Sequence, residues 1–162
     1  MPCVMPSNRN GSPSSTSRSN RLLKLFSSAA TEARETVKIP LIAAGGIAGG
    51  RAMLAAMVLG AEGVQIGTRF VASLECSAHE EFKRKVAGAA EGDTFLVLKK
   101  LAPVRLLRNK FFSEVAESEN RGADAEELTR LLGKGRARKG MFEGDMENGE
   151  LEIGQASALI KE

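Results

Sequence analysis

The chain has no tryptophan and no tyrosine, and it carries one histidine and two cysteines among 162 residues. Its core must therefore rest on Leu, Val, Ile, Met and Ala, with seven phenylalanines as the only aromatic residues. Cys3 and Cys76 stand far apart and match no metal-ligand spacing, and His79 alone cannot complete a Cys/His cluster. No metal site is expected, and a reducing, cytoplasmic setting is. No apolar run approaches the roughly 20 residues of a membrane helix. The N-terminus lacks the apolar stretch that a secretory signal needs. The formal net charge of +3 is mild for this length. It favours solubility and weakly favours anionic partners, but it is no nucleic-acid signature. The length allows one domain with its own core.

Residues 1–20, MPCVMPSNRNGSPSSTSRSN, contain no acidic residue and no periodicity. They read as a disordered tail, with a transit peptide or a non-native upstream sequence as the alternatives. From Arg21 the pattern turns globular, and RLLKLFSSAATEARETV predicts a helix through Val37. IPLIAA, Ile39 to Ala44, is a short apolar run of the kind that forms a strand buried on both faces. GGIAGG, Gly45 to Gly50, cannot continue it. RAMLAAMVLG has high helix propensity and stops at Gly60. GVQIG then reads as a second strand, so the segment predicts one βαβ unit with a parallel pair.

Downstream, Ser77 and Glu80 have the spacing of a capping box and place a helix start there. TFLVLKKL reads as extended. Val104, Leu107, Phe111 and Val115 have helical spacing, and ADAEELTRLLG predicts another helix. The KGRARK run, Lys134 to Lys139, reads as a solvated face, and Arg105 and Arg108 as surface charges. A short helix is expected near the C-terminus.

The glycine corner is where chemistry is expected. A helix that follows a strand offers unpaired backbone N–H groups to a phosphate, provided that no side chain blocks the approach. Gly45 and Gly46 remove that obstacle. A parallel strand ending in Gly67-Thr68 brings more N–H groups and one hydroxyl to the same side, as after the last two strands of a (β/α)8 barrel. GGIAGG has neither the G-x-G-x-x-G spacing nor a P-loop lysine. A tight strand-to-helix turn with no ligand is the competing reading.

IPLIAAGGIAGGRAMLAAMVLGAEGVQIGTRFVAS resembles the last two strand units of the nitronate monooxygenase family, once called 2-nitropropane dioxygenases, which includes the similar FMN-dependent enoyl-ACP reductases. A-A-G-G-I followed by L-G-A-x-G-V-Q-x-G-T-R-F is specific when both halves occur at this spacing. SAHEEFK, DTFLVLKKLAPVRLLRN and MFEGDMENGELEIGQASALI extend the likeness from about Thr36 to the end.

The resemblance implies an FMN-dependent oxidoreductase whose cofactor phosphate meets Gly45, Gly46, Gln65, Ile66, Gly67 and Thr68. It also implies that the Gly154-Gln155 pair folds back toward the flavin. Family members carry a glycine-rich G-G-H segment whose histidine sits at the reaction centre in the nitronate-oxidising members, and this sequence has none. His79 matches a non-catalytic helix start, and Cys76 has no acid–base partner, so no catalytic residue is expected.

A closed barrel takes eight strands and roughly 200 residues or more, whereas two convincing strands are legible here. The expected fold is α/β, a partial (β/α)8 barrel of the last two strand–helix units with a C-terminal helical appendage. Residues 21–92 would form the barrel part and 93–162 the mainly helical segment packed on it. The expected function is that of a fragment of an FMN-dependent nitronate monooxygenase, possessing the phosphate strands but not the catalytic base. An enoyl-ACP reductase fragment and a non-catalytic phosphate-binding remnant are the alternatives. The parent would act on a small molecule, a nitronate or an enoyl thioester, without nucleic acid or membrane. Oligomeric state stays open.

Overall fold

A computed structural model describes residues 31–160. The expected tail at 1–20 and the start of the helix expected from Arg21 lie outside the described residues. Residues 31–36 are helical, in the later part of that expected helix.

The βαβ unit is present. Strand β1 (Ile42–Ala44) runs through the apolar IAA run, helix α1 (Gly50–Val58) through the Ala/Met/Leu segment, and strand β2 (Gly63–Gln65) follows. The two strands pair in parallel, Ile42 with Gly63, Ala43 with Val64 and Ala44 with Gln65. Gly60 turns the chain out of α1 at φ +101°, and Arg34 side-chain atoms fill the place a Cβ would take. Arg34 also pairs with Glu62 at 3.3 Å, tying the preceding helix to this turn.

β1 was expected to be buried on both faces, yet Ile42 is 56% exposed, and Met53, Leu54, Met57 and Val58 of α1 are exposed too. Among the described residues, β1 and β2 form a sheet of their own with no third strand beside them. An apolar run can be buried on both faces only where neighbours cover both.

The rest of the chain builds a separate, denser core. Helix α2 (Thr68–Val71) leaves β2 directly, and helix α3 (Glu80–Ala87) follows a loop. The start of α3 differs from the expected Ser77 capping box. His79 is the N-cap, and its Nδ1 accepts from the Glu81 N–H at 3.2 Å. The reason is tertiary: the His79 N–H donates to the Met141 carbonyl at 2.7 Å and fixes residue 79 as the last extended position.

Strands β3 (Thr94–Val97) and β4 (Val104–Leu107) then form an antiparallel hairpin. This corrects the helix read from Val104 to Val115. Helix α4 (Lys110–Asn120) begins only after Asn109, whose Oδ1 accepts from the Phe112 N–H at 2.8 Å. The spacing of Val104 and Leu107 imitates a helix face. On the strand, however, Leu106 and Leu107 point to opposite sides and enter two different clusters. Arg105 donates to the Thr94 carbonyl across the hairpin at 2.8 Å, and Arg108 lies over the Phe95 ring. Neither is a plain surface charge.

Helix α5 (Ala125–Leu132) is capped by Asp124, and α6 (Arg136–Met141) begins in the basic run and extends two residues beyond it. Arg136 departs from the solvated-face reading, because its guanidinium stacks on Phe111 and donates to the Leu132 and Asn148 carbonyls. The closing segment returns along β4. Leu107 N–H donates to Leu151, and Ile153 N–H donates to Arg105, both at 3.0 Å. One cluster gathers Phe82, Val86, Leu107, Leu151 and Ile153 around α3; the other gathers Val97, Leu98, Leu106, Phe111, Val115 and Leu128 around α4.

Glu150 is one of two charged residues buried among the described residues, with Lys83, and is 8% exposed. Burial, reinforced by the negative charge of Glu152, pushes its carboxyl above the ordinary range, and the Arg136 guanidinium opposes the shift. A carboxyl that holds its proton more tightly when folded makes stability fall as pH rises from the unfolded pKa through the raised folded one. Above that window the penalty is constant. Glu150→Gln is therefore expected to raise the urea midpoint at pH 7. The gain should shrink toward nothing as pH falls through the window and below the ordinary value of 4.5. A pH-independent gain would instead assign the effect to packing.

Candidate functional site

The parallel register sets the geometry of the glycine corner. Because Ala44 lies opposite Gln65, the residues that follow each, Gly45-Gly46 and Ile66-Gly67-Thr68, leave neighbouring strand ends on the same side of the sheet. Gly45 and Gly46 have φ +91° and +71°, the left-handed region in which a side chain is strained. No atom lies within 4 Å of the point where a Cβ would stand at Gly45, Gly46, Gly49, Gly50 or Gly67. Gly45, Gly46, Gln65 and Gly67 are exposed, while Ile66 and Thr68 are half-buried.

The donor set suits an anion. From Leu41 to Ala72 the only charged side chains are Arg51, Glu62 and Arg69, and Glu62 is engaged by Arg34. No carboxylate side chain comes from the corner residues themselves. Helix α1 starts at Gly49 with no side-chain cap, so its first-turn N–H groups are not taken up by a side chain. A cradle open on its glycine side, with backbone donors and one hydroxyl, has the chemistry to take an anionic group.

A third segment reaches this corner from far along the chain. Residues Gln155–Leu159 form a 3-10 turn, and Ala156 and Ile160 pack with Ala48 and Ala72. Gly154 lies so close to α2 that a Cβ on it would stand 2.8 Å from the Thr68 hydroxyl oxygen. Ser157 is fully buried, and its hydroxyl is the one buried side-chain polar atom without a partner among the described residues. The sequence signal for this contact was slight, consisting only of the Gly154-Gln155 pair.

The remaining candidates lie elsewhere. His79 is occupied as the cap of α3, and its ring fills the space beside Gly144. Cys76 is a free, half-buried thiol packed against the cluster around Phe82. Among the described residues, no helix is long and apolar enough to cross a membrane.

A family model for nitronate monooxygenase matches residues 12–162. The chain belongs to the nitronate monooxygenase family. A probable nitronate monooxygenase of Staphylococcus saprophyticus is 38% identical over 110 residues, covering 65% of this chain and 31% of that protein. One from Staphylococcus aureus is 43% identical over 88 residues, covering 52% of this chain and 24% of that protein.

Among solved structures, FabK from Thermotoga maritima superposes with a TM-score of 0.73 at 42% identity, over 82% of this chain and 42% of that one. A nitroalkane oxidase from Streptomyces ansochromogenes superposes with a TM-score of 0.60 at 32% identity, over 82% of this chain and 38% of that one. The chain thus spans from about a quarter to just under a third of the length of the curated relatives it matches. It is an α/β protein with the structural likeness of these oxidoreductases.

Proposed function

We propose that this chain is the phosphate-binding portion of an FMN-dependent oxidoreductase, a partial (β/α)8 barrel made of the last two strand–helix units. Residues 93–160 then pack on the barrel part as an appendage built from the β3–β4 hairpin and helices. The observation that carries the reading is the pairing of two adjacent strand ends, one with two left-handed glycines and the other with Gly67-Thr68, around open space. Gly45 and Gly46 admit the phosphate. Backbone N–H groups from Gln65 to Thr68 donate to it, and the Thr68 hydroxyl adds one more donor.

Bound FMN would supply the electron-accepting ring for oxidation of an alkyl nitronate by molecular oxygen. No G-G-H segment occurs in the sequence to supply a base, so the 162 residues alone are expected not to turn over. The substrate of the whole enzyme is a small molecule, and a cytoplasmic setting belongs to the same reading. The second reading is FMN-dependent enoyl-ACP reduction with a nicotinamide donor, favoured by the higher structural likeness to FabK. A phosphate-binding remnant without turnover is the third.

The test is a pair of fluorescence titrations on the full chain, with FMN and with riboflavin, which lacks the phosphate. FMN is expected to bind at least tenfold more tightly than riboflavin. Gly46→Val is expected to erase that preference, because it forces a β-branched residue to φ +71° and fills the opening. Equal binding of the two flavins by the unaltered chain, or none of either, would sink the reading. Assays of a full-length family member with nitroalkane and with enoyl thioester then separate the two enzyme activities.

A further inference from the structure

We propose that Gly154 is a positioning residue for Thr68: its missing side chain leaves room for the rotamer that the Thr68 hydroxyl adopts beside the glycine corner. The proposal rests on the reading of that corner given above. A Cβ on Gly154 would stand 2.8 Å from Thr68 Oγ1, and no other atom beyond its own chain neighbours lies within 4 Å of that point. The space that glycine leaves is therefore used by one atom only.

Backbone conformation does not explain the glycine. Gly154 has φ −76° and ψ 161°, a conformation that alanine adopts without strain. The neighbouring chain has little room to retreat. On one side Ile153 N–H is bonded to the Arg105 carbonyl on β4 at 3.0 Å. On the other, Ala156, Ser157 and Ile160 are buried, and Ala156 and Ile160 pack against Ala48 and Ala72. A methyl group at 154 is thus relieved most cheaply by turning Thr68.

That turn is restricted by the chemistry of threonine. Its Cβ carries a hydroxyl, a methyl and a hydrogen, and χ1 occupies three staggered wells. Only the well that puts the hydrogen toward residue 154 clears the contact. Both the hydroxyl and the methyl then move, and the donor leaves its place at the corner. The closing segment therefore sets the donor geometry of a site formed by residues much earlier in the chain.

The experiment compares the full chain with Gly154→Ala, Thr68→Ala and the double variant. Three-bond scalar couplings from the Thr68 methyl carbon read its χ1 directly, with no ligand present. Gly154→Ala is expected to shift those couplings to a different rotamer. It should also weaken FMN binding about tenfold while leaving riboflavin binding unchanged. In the Thr68→Ala background, adding Gly154→Ala should change nothing further, since the atom it collides with is gone.

Unchanged couplings in Gly154→Ala would overturn the proposal. So would an equal loss of FMN affinity in both backgrounds, which would make the glycine a general packing requirement. If the unaltered chain binds FMN and riboflavin alike, the phosphate reading fails, and the couplings still decide whether residue 154 controls Thr68.

Discussion

Gly149→Ala is expected to unfold the closing third of the chain, with a loss of about 3 kcal/mol or more in urea denaturation. A Cβ at residue 149 would run into the Gly140 backbone, its Cα and N, and into the Asp145 carbonyl oxygen. These are backbone atoms, so no side-chain rotation relieves them. Gly140 faces the same constraint, because its own Cβ would stand 2.7 Å from the Glu150 carbonyl oxygen. The two glycines let α6 and the returning strand touch main chain to main chain.

The hydrogen bonds around this contact show what a shift there would cost. Gly149 N–H donates to Asp145 at 3.0 Å, and Asp145 N–H donates to Lys139 at 3.0 Å. Glu150 N–H donates to Arg136, also at 3.0 Å. The Asn109 side-chain amide reaches both the Met146 and Gly149 carbonyls, which ties the loop to the start of α4. Leu151 enters the core two residues on. An opening of an ångström would break several of these bonds at once and withdraw Leu151. Gly135→Ala is the control: its φ of +77° and ψ of 10° place it in the left-handed region, but no atom beyond its chain neighbours lies within 4 Å of its Cβ position, so about 1 kcal/mol is expected there. Similar losses for the two variants would mean that the main-chain contact is not what holds the region.

The contact between Gly140 and Gly149 had no signal in the sequence, and the reason is general. A glycine that admits a distant backbone looks the same in sequence as one that only turns the chain. What was legible was local. The βαβ unit at 41–68 was readable because each part carries its own chemistry: two apolar runs, a helix-forming segment and glycines at both joints. The positive φ of Gly45 and Gly46 follows from the same local demand.

Val104 to Leu107 was misread because residues three apart satisfy a helix face and also two sides of a strand in separate cores. The pairing with β3, which decides between them, is set by hairpin partners. Ser77 lost the cap to His79 because the His79 N–H donates to the Met141 carbonyl, more than sixty residues away. The approach of Gly154 to Thr68 belongs to the same class. The glycine corner was therefore legible as two walls, and the third only through the family likeness of the Gly154-Gln155 pair, since nothing local to that pair shows what it touches.

Phe111→Ala should cost about 3–5 kcal/mol, the range for emptying a fully buried phenylalanine site. Phe111 has no exposed surface and sits among Val97, Leu98, Leu106, Val115, Ala123 and Leu128. Its ring also supports a charge. The Arg136 guanidinium carbon lies 4.5 Å from the ring centroid, while its nitrogens donate to the Leu132 and Asn148 carbonyls at 2.9 Å. Removing the ring deletes the hydrophobic filling and also the surface that orients Arg136, worth about 1 kcal/mol more as a cation–π contact. The Phe111 N–H bond to the Glu147 carbonyl, at 3.1 Å, depends on the backbone and should survive.

Two other phenylalanines calibrate the result. Phe112→Ala removes a half-buried ring paired with Phe95 at 5.2 Å between centroids, and about 1–2 kcal/mol is expected. Phe142 is exposed, and its loss should fall within about 0.5 kcal/mol of zero. In a double-mutant cycle, Arg136→Ala should cost less in the Phe111→Ala background than alone, because the stacking surface is already gone. A Phe111→Ala loss no larger than that of Phe142→Ala would remove Phe111 from its place at the junction of α4, the hairpin and α6. An additive cycle with a large Phe111 loss would keep the hydrophobic role and reject the stacking.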